Sequence, residues 1–207
     1  MRPAPLVLGV LASGRGSNLQ AILEAIDAGR CPARVAVVVS DRKDAPALER
    51  ARRSGVRAVH LDPRAYPDRT AFDMAIADTL AAEGVELVCL AGYMRVLSAE
   101  FVRRFPARIL NVHPALLPAF HGLHAQRQAL EHGVKVAGAT VHFVDEGVDT
   151  GPIVLQAAVP VLDGDTEATL TARILAEEHR LYPEAIRLYA EGRLEMSGRR
   201  VSVRAGA

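Results

Sequence analysis

Short apolar runs alternate with stretches of helical periodicity along most of the chain. Leu6 to Leu11 is a continuous apolar run, the type that forms a strand buried on both faces. Val35 to Val39, Val56 to Leu61, Leu87 to Ala91 and Arg108 to Val112 read as further strands. Between the first two, Leu19, Ile22, Leu23 and Ile26 recur at helical spacing, and Gly29 closes the helix over Leu19 to Ala28. Asp41 to Ser54 reads as turn and helix. Thr70 to Glu83 is helical and Gly84 ends it. Ser98 caps a short helix to Phe105, and Leu123 to Glu131 is helical again.

The pattern then changes. Val136 to Val144 and Ile153 to Val159 are strands with no room for a helix between them, so they pair antiparallel across the loop Asp145 to Pro152. Asp165 to Ala190 is mostly helical, with Pro183 expected to break or kink it. The tail Arg193 to Val203 has room for one edge strand. Repeated β-α-β units predict an α/β fold, a Rossmann-like open sheet that is mostly parallel, with helices on both faces and a late antiparallel hairpin. In such sheets ligands gather at the carboxyl ends of the strands. The segments to watch are therefore 13–18, 92–97, 111–113 and the hairpin loop 145–151.

Composition narrows the function classes. With 207 residues, 50% hydrophobic and 24% charged, the chain reads as one ordinary globular domain over 1–207. A formal net charge of +1 removes the global electrostatic case for nucleic acid or an anionic membrane. No segment approaches the roughly 18 apolar residues of a membrane span, and the N-terminus lacks a signal-peptide layout, so a cytoplasmic protein is expected. Cys31 and Cys89 form no C-x-x-C pair, and His121 and His124 have no third ligand nearby in sequence, so no metal is expected. There is no G-x-S-x-G elbow. Aromatic residues, at 4%, are too few for a base-stacking platform.

Three segments carry candidate chemistry. Ser13-Gly14-Arg15-Gly16-Ser17-Asn18 follows the first strand and opens a helix, a geometry suited to phosphate. Leu19 stands where a dinucleotide fingerprint needs glycine, and a P-loop would need Gly-Lys-Ser/Thr. The plainer alternative is a tight turn with Ser17 or Asn18 as helix cap. Asn111-Val112-His113-Pro114 ends a strand, and residues 111 and 113 point the same way. An amide there can donate to a developing oxyanion, and an imidazole can give or take a proton. The alternative is a strand end with a satisfied histidine. The loop Asp145-Glu146-Gly147-Val148-Asp149 is either a solvated turn or one whose last acid turns inward to a charged histidine, raising the pKa of that ring.

The motifs taken together carry a resemblance. Ser13 to Ile22, Ala91 to Leu97, Asn111 to Pro118, Gly122-Leu123-His124, Val141 to Val144 and Asp149 to Ile153 occur in order. In that combination the chain closely resembles the phosphoribosylglycinamide formyltransferase family, over roughly residues 6 to 195. The resemblance implies transfer of a formyl group from 10-formyltetrahydrofolate to the amine of glycinamide ribonucleotide. It assigns catalysis to Asn111, His113 and Asp149. Ribonucleotide binding falls to Gly16, Ser17 and Asn18 for phosphate, and to Glu178 for the ribose hydroxyls. Folate binding falls to Arg69, Met94, Arg95, Val96, Leu97, Asn111 and the loop Asp145, Glu146, Gly147, Val148 and Asp149. About 1–105 would bind the phosphate, and about 106–200 would carry the folate and catalytic loop. The expected partners are these two small molecules, with no nucleic acid and no membrane, in a monomer or homodimer.

Ala115, Ala119 and His121 depart from the family's frequent Ser, Lys and Pro. None falls on the catalytic set. The rival readings are a formyltetrahydrofolate deformylase, a methionyl-tRNA formyltransferase and a non-catalytic nucleotide-binding module. The first two would bring an extra N-terminal or C-terminal domain, for which the sequence leaves no room. The third gives no reason for Asn111, His113 and Asp149 to coincide.

Overall fold

The computed structural model describes residues 4–205, which divide after Leu110 into two compact units. In the first, β1 (Leu6–Leu11) leads through α1 (Ser17–Asp27) into β2 (Ala33–Ser40). Then come α2 (Pro46–Arg53), β3 (Arg57–His60), α3 (Arg69–Ala82), β4 (Leu87–Leu90) and α4 (Ala99–Arg104). β5 (Ile109–His113) begins at the end of this unit. The strand order is β3-β2-β1-β4-β5. β1 pairs in parallel with β2 and β4, and β2 with β3.

That order places the helices. Parallel crossovers are right-handed, so the steps from β1 to β2 to β3 put α1 and α2 on one face. The return to β4 and on to β5 runs the other way and puts α3 and α4 on the opposite face. With both faces covered, the strands need apolar residues in unbroken runs. Leu8, Val10, Leu11, Val37, Val38 and Leu87 accordingly have no solvent exposure. The direction reverses between β1 and β4, and at such a switch point the loops after the strands diverge and leave a crevice. Those loops are tied together. Ser13 N–H donates to the Gly92 carbonyl at 3.1 Å, and Met94 N–H donates to Ser13 Oγ at 2.9 Å.

The end of β5 opens the second unit, followed by α5 (Ala125–Glu131), β6 (Val136–Phe143), β7 (Ile153–Pro160) and α6 (Glu167–Ala190). β6 and β7 form the expected antiparallel hairpin, in register from Val136 opposite Pro160 to His142 opposite Ile153, with a shift between Val141 and His142. α5 starts later than its periodicity suggests, because Gly122 and His124 both take left-handed backbone conformations. α6 runs unbroken through Pro183. The proline ring is buried beside Leu181 and Tyr182, and packing of that face outweighs the missing backbone donor. A capping box of Thr166 and Thr169 starts the helix.

The tail corrects the expectation of one strand. It holds two, β8 (Leu194–Ser197) and β9 (Arg200–Val203), paired antiparallel. β9 also meets β7 in parallel at Ile153 and Arg200. The order is β5-β6-β7-β9-β8. Both new strands are four residues long and mostly exposed. Leu194-Glu195-Met196-Ser197 and Arg200-Val201-Ser202-Val203 do alternate apolar and polar residues, but runs this short give little periodicity to tell two strands from one.

Candidate active site

β5 ends on Asn111-Val112-His113. Alternation sends Val112 into the core and turns the side chains of 111 and 113 the same way. The exit from the strand is held by Thr140 on β6. Its hydroxyl donates to the Ala115 carbonyl at 2.7 Å and accepts Leu117 N–H at 3.1 Å. Gln156 on β7 adds bonds to Thr140 Oγ1 and to the Leu117 carbonyl, each 2.9 Å. A strand end pinned this closely can hold a side chain to a fraction of an ångström, which a reaction site requires.

Asp149 arrives from the hairpin loop. Its backbone is left-handed, with φ 54°, and this turns its carboxylate toward β5. Oδ2 accepts Gly122 N–H at 2.8 Å and lies 3.4 Å from His113 Nδ1. Oδ1 accepts Asn111 Nδ2–H at 3.4 Å. The three residues named from the sequence therefore meet at one carboxylate. The loop closes on itself as well. Asp145 Oδ1 accepts Gly147 N–H at 3.0 Å and the Thr150 hydroxyl at 2.6 Å. Arg199 donates to the Thr150 carbonyl at 2.7 Å, and His121 Nδ1–H donates to the Val148 carbonyl at 3.0 Å. A Cβ at Gly151 would stand 1.8 Å from the Phe143 carbonyl oxygen, so no side chain fits there. Asp145 thus braces the loop, while Glu146, Gly147 and Val148 are exposed at its tip.

A fourth side chain joins the group. His142 is buried on β6, just past the register shift, and bulges of this kind re-aim side chains. A carbonyl only accepts, so the 2.8 Å contact with the Phe143 carbonyl puts a proton on His142 Nδ1. In the neutral ring Nε2 is then an acceptor, and it takes an Asn111 Nδ2–H at 3.2 Å. His142 thereby fixes which end of the Asn111 amide faces Asp149. Sequence reasoning missed this role. The signal was present in Val141-His142-Phe143, but only the tertiary pairing gives it a partner.

His113 is flanked by two acceptors. Nε2–H donates to the Phe120 carbonyl at 2.8 Å, and Nδ1 faces Asp149. Only a doubly protonated ring satisfies both. Burial acts the other way and is the larger effect, so the His113 pKa lies below the ordinary imidazole value, although Asp149 and the Phe120 carbonyl oppose the shift. The carboxylate acts in the expected direction, but the expected net rise is corrected to a fall because burial outweighs it. Asp149 itself is held at about 2. Burial would push it up, but the adjacent His142 ring, the Gly122 N–H and the nearby His113 imidazole outweigh that.

The other named positions lie where the first unit's strands end, with one exception. Gly16 starts α1 in a left-handed conformation, φ 72°, with no side-chain cap, so Ser17 and Asn18 do not cap the helix. A Cβ on Gly16 would come within 2.8 Å of Ala47 Cα. The turn is braced by Ala47 N–H to the Gly14 carbonyl at 3.2 Å and by Arg50 Nε to the Arg15 carbonyl at 2.9 Å. The first-turn N–H groups of an uncapped helix remain available to an anion. Arg69 is exposed at the start of α3. Met94 and Val96 are exposed after β4, Leu97 is buried and Arg95 is half-buried. Glu178 is the exception, buried on α6 in the second unit.

The family model described as formyl transferase matches residues 7–186. The chain belongs to the formyl transferase family. Among its relatives is the phosphoribosylglycinamide formyltransferase of Escherichia coli K12, 46% identical over 90% of this chain and 88% of that one. The crystal structure of glycinamide ribonucleotide transformylase 1 from Symbiobacterium toebii is 67% identical, with a TM-score of 0.96 over 98% of this chain and 95% of that one. The trifunctional purine biosynthetic protein adenosine-3 of Drosophila pseudoobscura pseudoobscura is 48% identical over 94% of this chain, which spans 14% of its length. Formyl transferases with this similarity thus occur both at about this length and as a small part of a longer protein. Within this formyl transferase, the described residues contain no helix long and apolar enough to cross a membrane.

Proposed function

We propose that this formyl transferase moves a formyl group from 10-formyltetrahydrofolate to the amine of glycinamide ribonucleotide, in purine biosynthesis. One observation carries the reading. Asn111 and His113, on one strand, each come within 3.4 Å of a carboxylate oxygen of Asp149, distant along the chain, in a chain of this family. An amide donor beside an imidazole of lowered pKa and a charged carboxylate suits amine attack on a carbonyl carbon. No covalent enzyme intermediate is required, since the amine is itself the nucleophile.

In this mechanism the amine of the ribonucleotide attacks the formyl carbon and the formyl oxygen gains negative charge. Asn111 supplies a hydrogen bond to that oxygen. Its N–H toward Asp149 is the longer and weaker of its two bonds, and so the easier to exchange for a substrate oxygen. His113 starts neutral and takes at Nδ1 the proton that the amine loses. Asp149 stabilises the imidazolium as it forms, and the proton then passes to the departing folate nitrogen. Losing an oxyanion donor costs about 3–4 kcal/mol of barrier.

Gly16, Ser17 and Asn18 hold the substrate phosphate at the uncapped start of α1, and Glu178 takes the ribose hydroxyls. Arg69, Met94, Arg95, Val96 and Leu97 contact the folate, with Asp145, Glu146, Gly147 and Val148 shaping the loop that carries Asp149. The protein acts in the cytoplasm, as a monomer or homodimer, on small molecules and not on nucleic acid. The test is a spectrophotometric assay for tetrahydrofolate release. Release only when glycinamide ribonucleotide is added supports the reading. Release with water as the only acceptor would make the protein a deformylase-type hydrolase.

A further inference from the structure

The segment after β4 is anchored at both ends by side chains that stand outside the set named so far. At its start Ser13, itself buried, accepts Met94 N–H at 2.9 Å, and its own N–H bonds the Gly92 carbonyl at 3.1 Å. At its end Asp73 of α3 accepts Ser98 N–H at 2.6 Å through Oδ2. Ser98 in turn caps α4 by accepting Phe101 N–H. Between the anchors the exposure alternates. Tyr93 and Leu97 are buried, whereas Met94 is 55% and Val96 49% exposed. Two large apolar side chains are thus held out to solvent on a short stretch whose ends cannot move freely.

α3 also reaches the middle of the segment. Phe72 and Asp73 lie three and four residues after Arg69, so each stands one helical turn from it on the same side of α3. The Arg95 guanidinium lies over the Phe72 ring, 5.2 Å from its centroid. Asp73 also attracts the charges of Arg69 and Arg95. Asp73 has no solvent exposure, and burial pushes its carboxyl above the usual carboxylate range. A buried acid with a raised pKa is a cost to stability. An apolar residue at this position would leave the buried Ser98 N–H without its acceptor, so the acid is tied to holding the end of the segment in place.

We infer that Asp73 and Ser13 are positioning residues for the folate cosubstrate, setting the backbone from Gly92 to Ser98 so that Met94, Arg95 and Val96 present one fixed surface to it. This rests on the proposed function for the class of ligand, a reduced pteridine with an anionic tail. Neither side chain touches the reacting atoms. Their effect belongs in folate affinity and leaves ribonucleotide affinity alone.

The experiment measures tetrahydrofolate binding by fluorescence titration, together with both KM values and kcat, for the full-length wild type, Asp73→Ala, Asp73→Asn and Ser13→Ala. Asp73→Ala should weaken tetrahydrofolate binding and raise the folate KM about tenfold, with the ribonucleotide KM within twofold of wild type. Asp73→Asn keeps an acceptor for Ser98 N–H and should recover most of that loss. Folded Asp73→Ala with unchanged folate affinity would overturn the inference, and so would equal rises in both KM values. If Asp73→Ala does not fold, Ser13→Ala decides: a severalfold weaker folate affinity supports the inference and an unchanged one overturns it. A wild type that binds tetrahydrofolate but transfers no formyl group would sink the proposed reaction and leave the positioning role to be read from the binding constants.

Discussion

His113 Nδ1 faces Asp149 Oδ2 across 3.4 Å, inside a site where the imidazole side chain is 5% exposed and the carboxylate 12%. The pair is held from opposite sides. The Phe120 carbonyl fixes the far nitrogen of the ring, and the Gly122 N–H fixes the carboxylate. Burial makes the second proton on His113 costly, while the carboxylate makes it welcome. A ring under two opposed influences can take up a proton and release it again within one reaction cycle.

Asp149→Asn keeps the shape of the carboxylate and removes its charge. Turnover should fall about 10²–10⁴-fold, the usual contribution of a positioned proton-transfer group, with both KM values changed only a few-fold. Steady-state kinetics with both substrates varied checks this. A variant with near wild-type turnover would show that the carboxylate serves only to hold the loop.

Stability should fall toward acid pH in two stages. Both groups have folded-state pKa values below their ordinary ones, so each stabilises the fold at neutral pH and that contribution is lost as pH falls. For His113 the loss begins below the ordinary imidazole value and continues through its lowered one. For Asp149 it runs from 3.8 down to about 2, and is worth about 2 kcal/mol at neutral pH. Urea denaturation at a series of pH values should show His113→Asn flattening the upper stage and Asp149→Asn the lower. Unchanged slopes in both variants would refute these pKa directions.

His142 acts through Asn111. His142→Ala removes the acceptor that orients the amide and should lower turnover about tenfold. Asn111→Ala should cost more, about 10²–10³-fold, because it removes the donor to the developing oxyanion. Since the two act as a unit, the double variant should be no slower than Asn111→Ala alone. Additive losses would separate their roles.

Gly16→Ala places a Cβ in a left-handed conformation and within 2.8 Å of Ala47. It should lower stability by about 1–3 kcal/mol and raise the ribonucleotide KM. Ser17 and Asn18 substitutions should raise the same KM before they affect kcat. An unaltered ribonucleotide KM across the three positions would place the phosphate elsewhere.

Much of this protein was determined by the linear order of its residues. The apolar runs of β1, β2 and β4 and the helical spacing of Leu19, Ile22, Leu23 and Ile26 are local patterns, and a sheet covered on both faces follows from them. Asn111 and His113 are two residues apart on a strand, so their common direction was legible too. Tertiary structure decided the rest. β8 and β9 are short and exposed, pair with each other along their length, and join β7 only at Ile153 and Arg200. α6 passes Pro183 because its buried face packs strongly enough to offset one missing donor. His142 enters the site through cross-strand neighbours, and the lowered pKa of His113 comes from desolvation. Burial depends on the whole fold, so no stretch of sequence carries it, and the charge carried by His113 was settled only once the chain had closed around the ring.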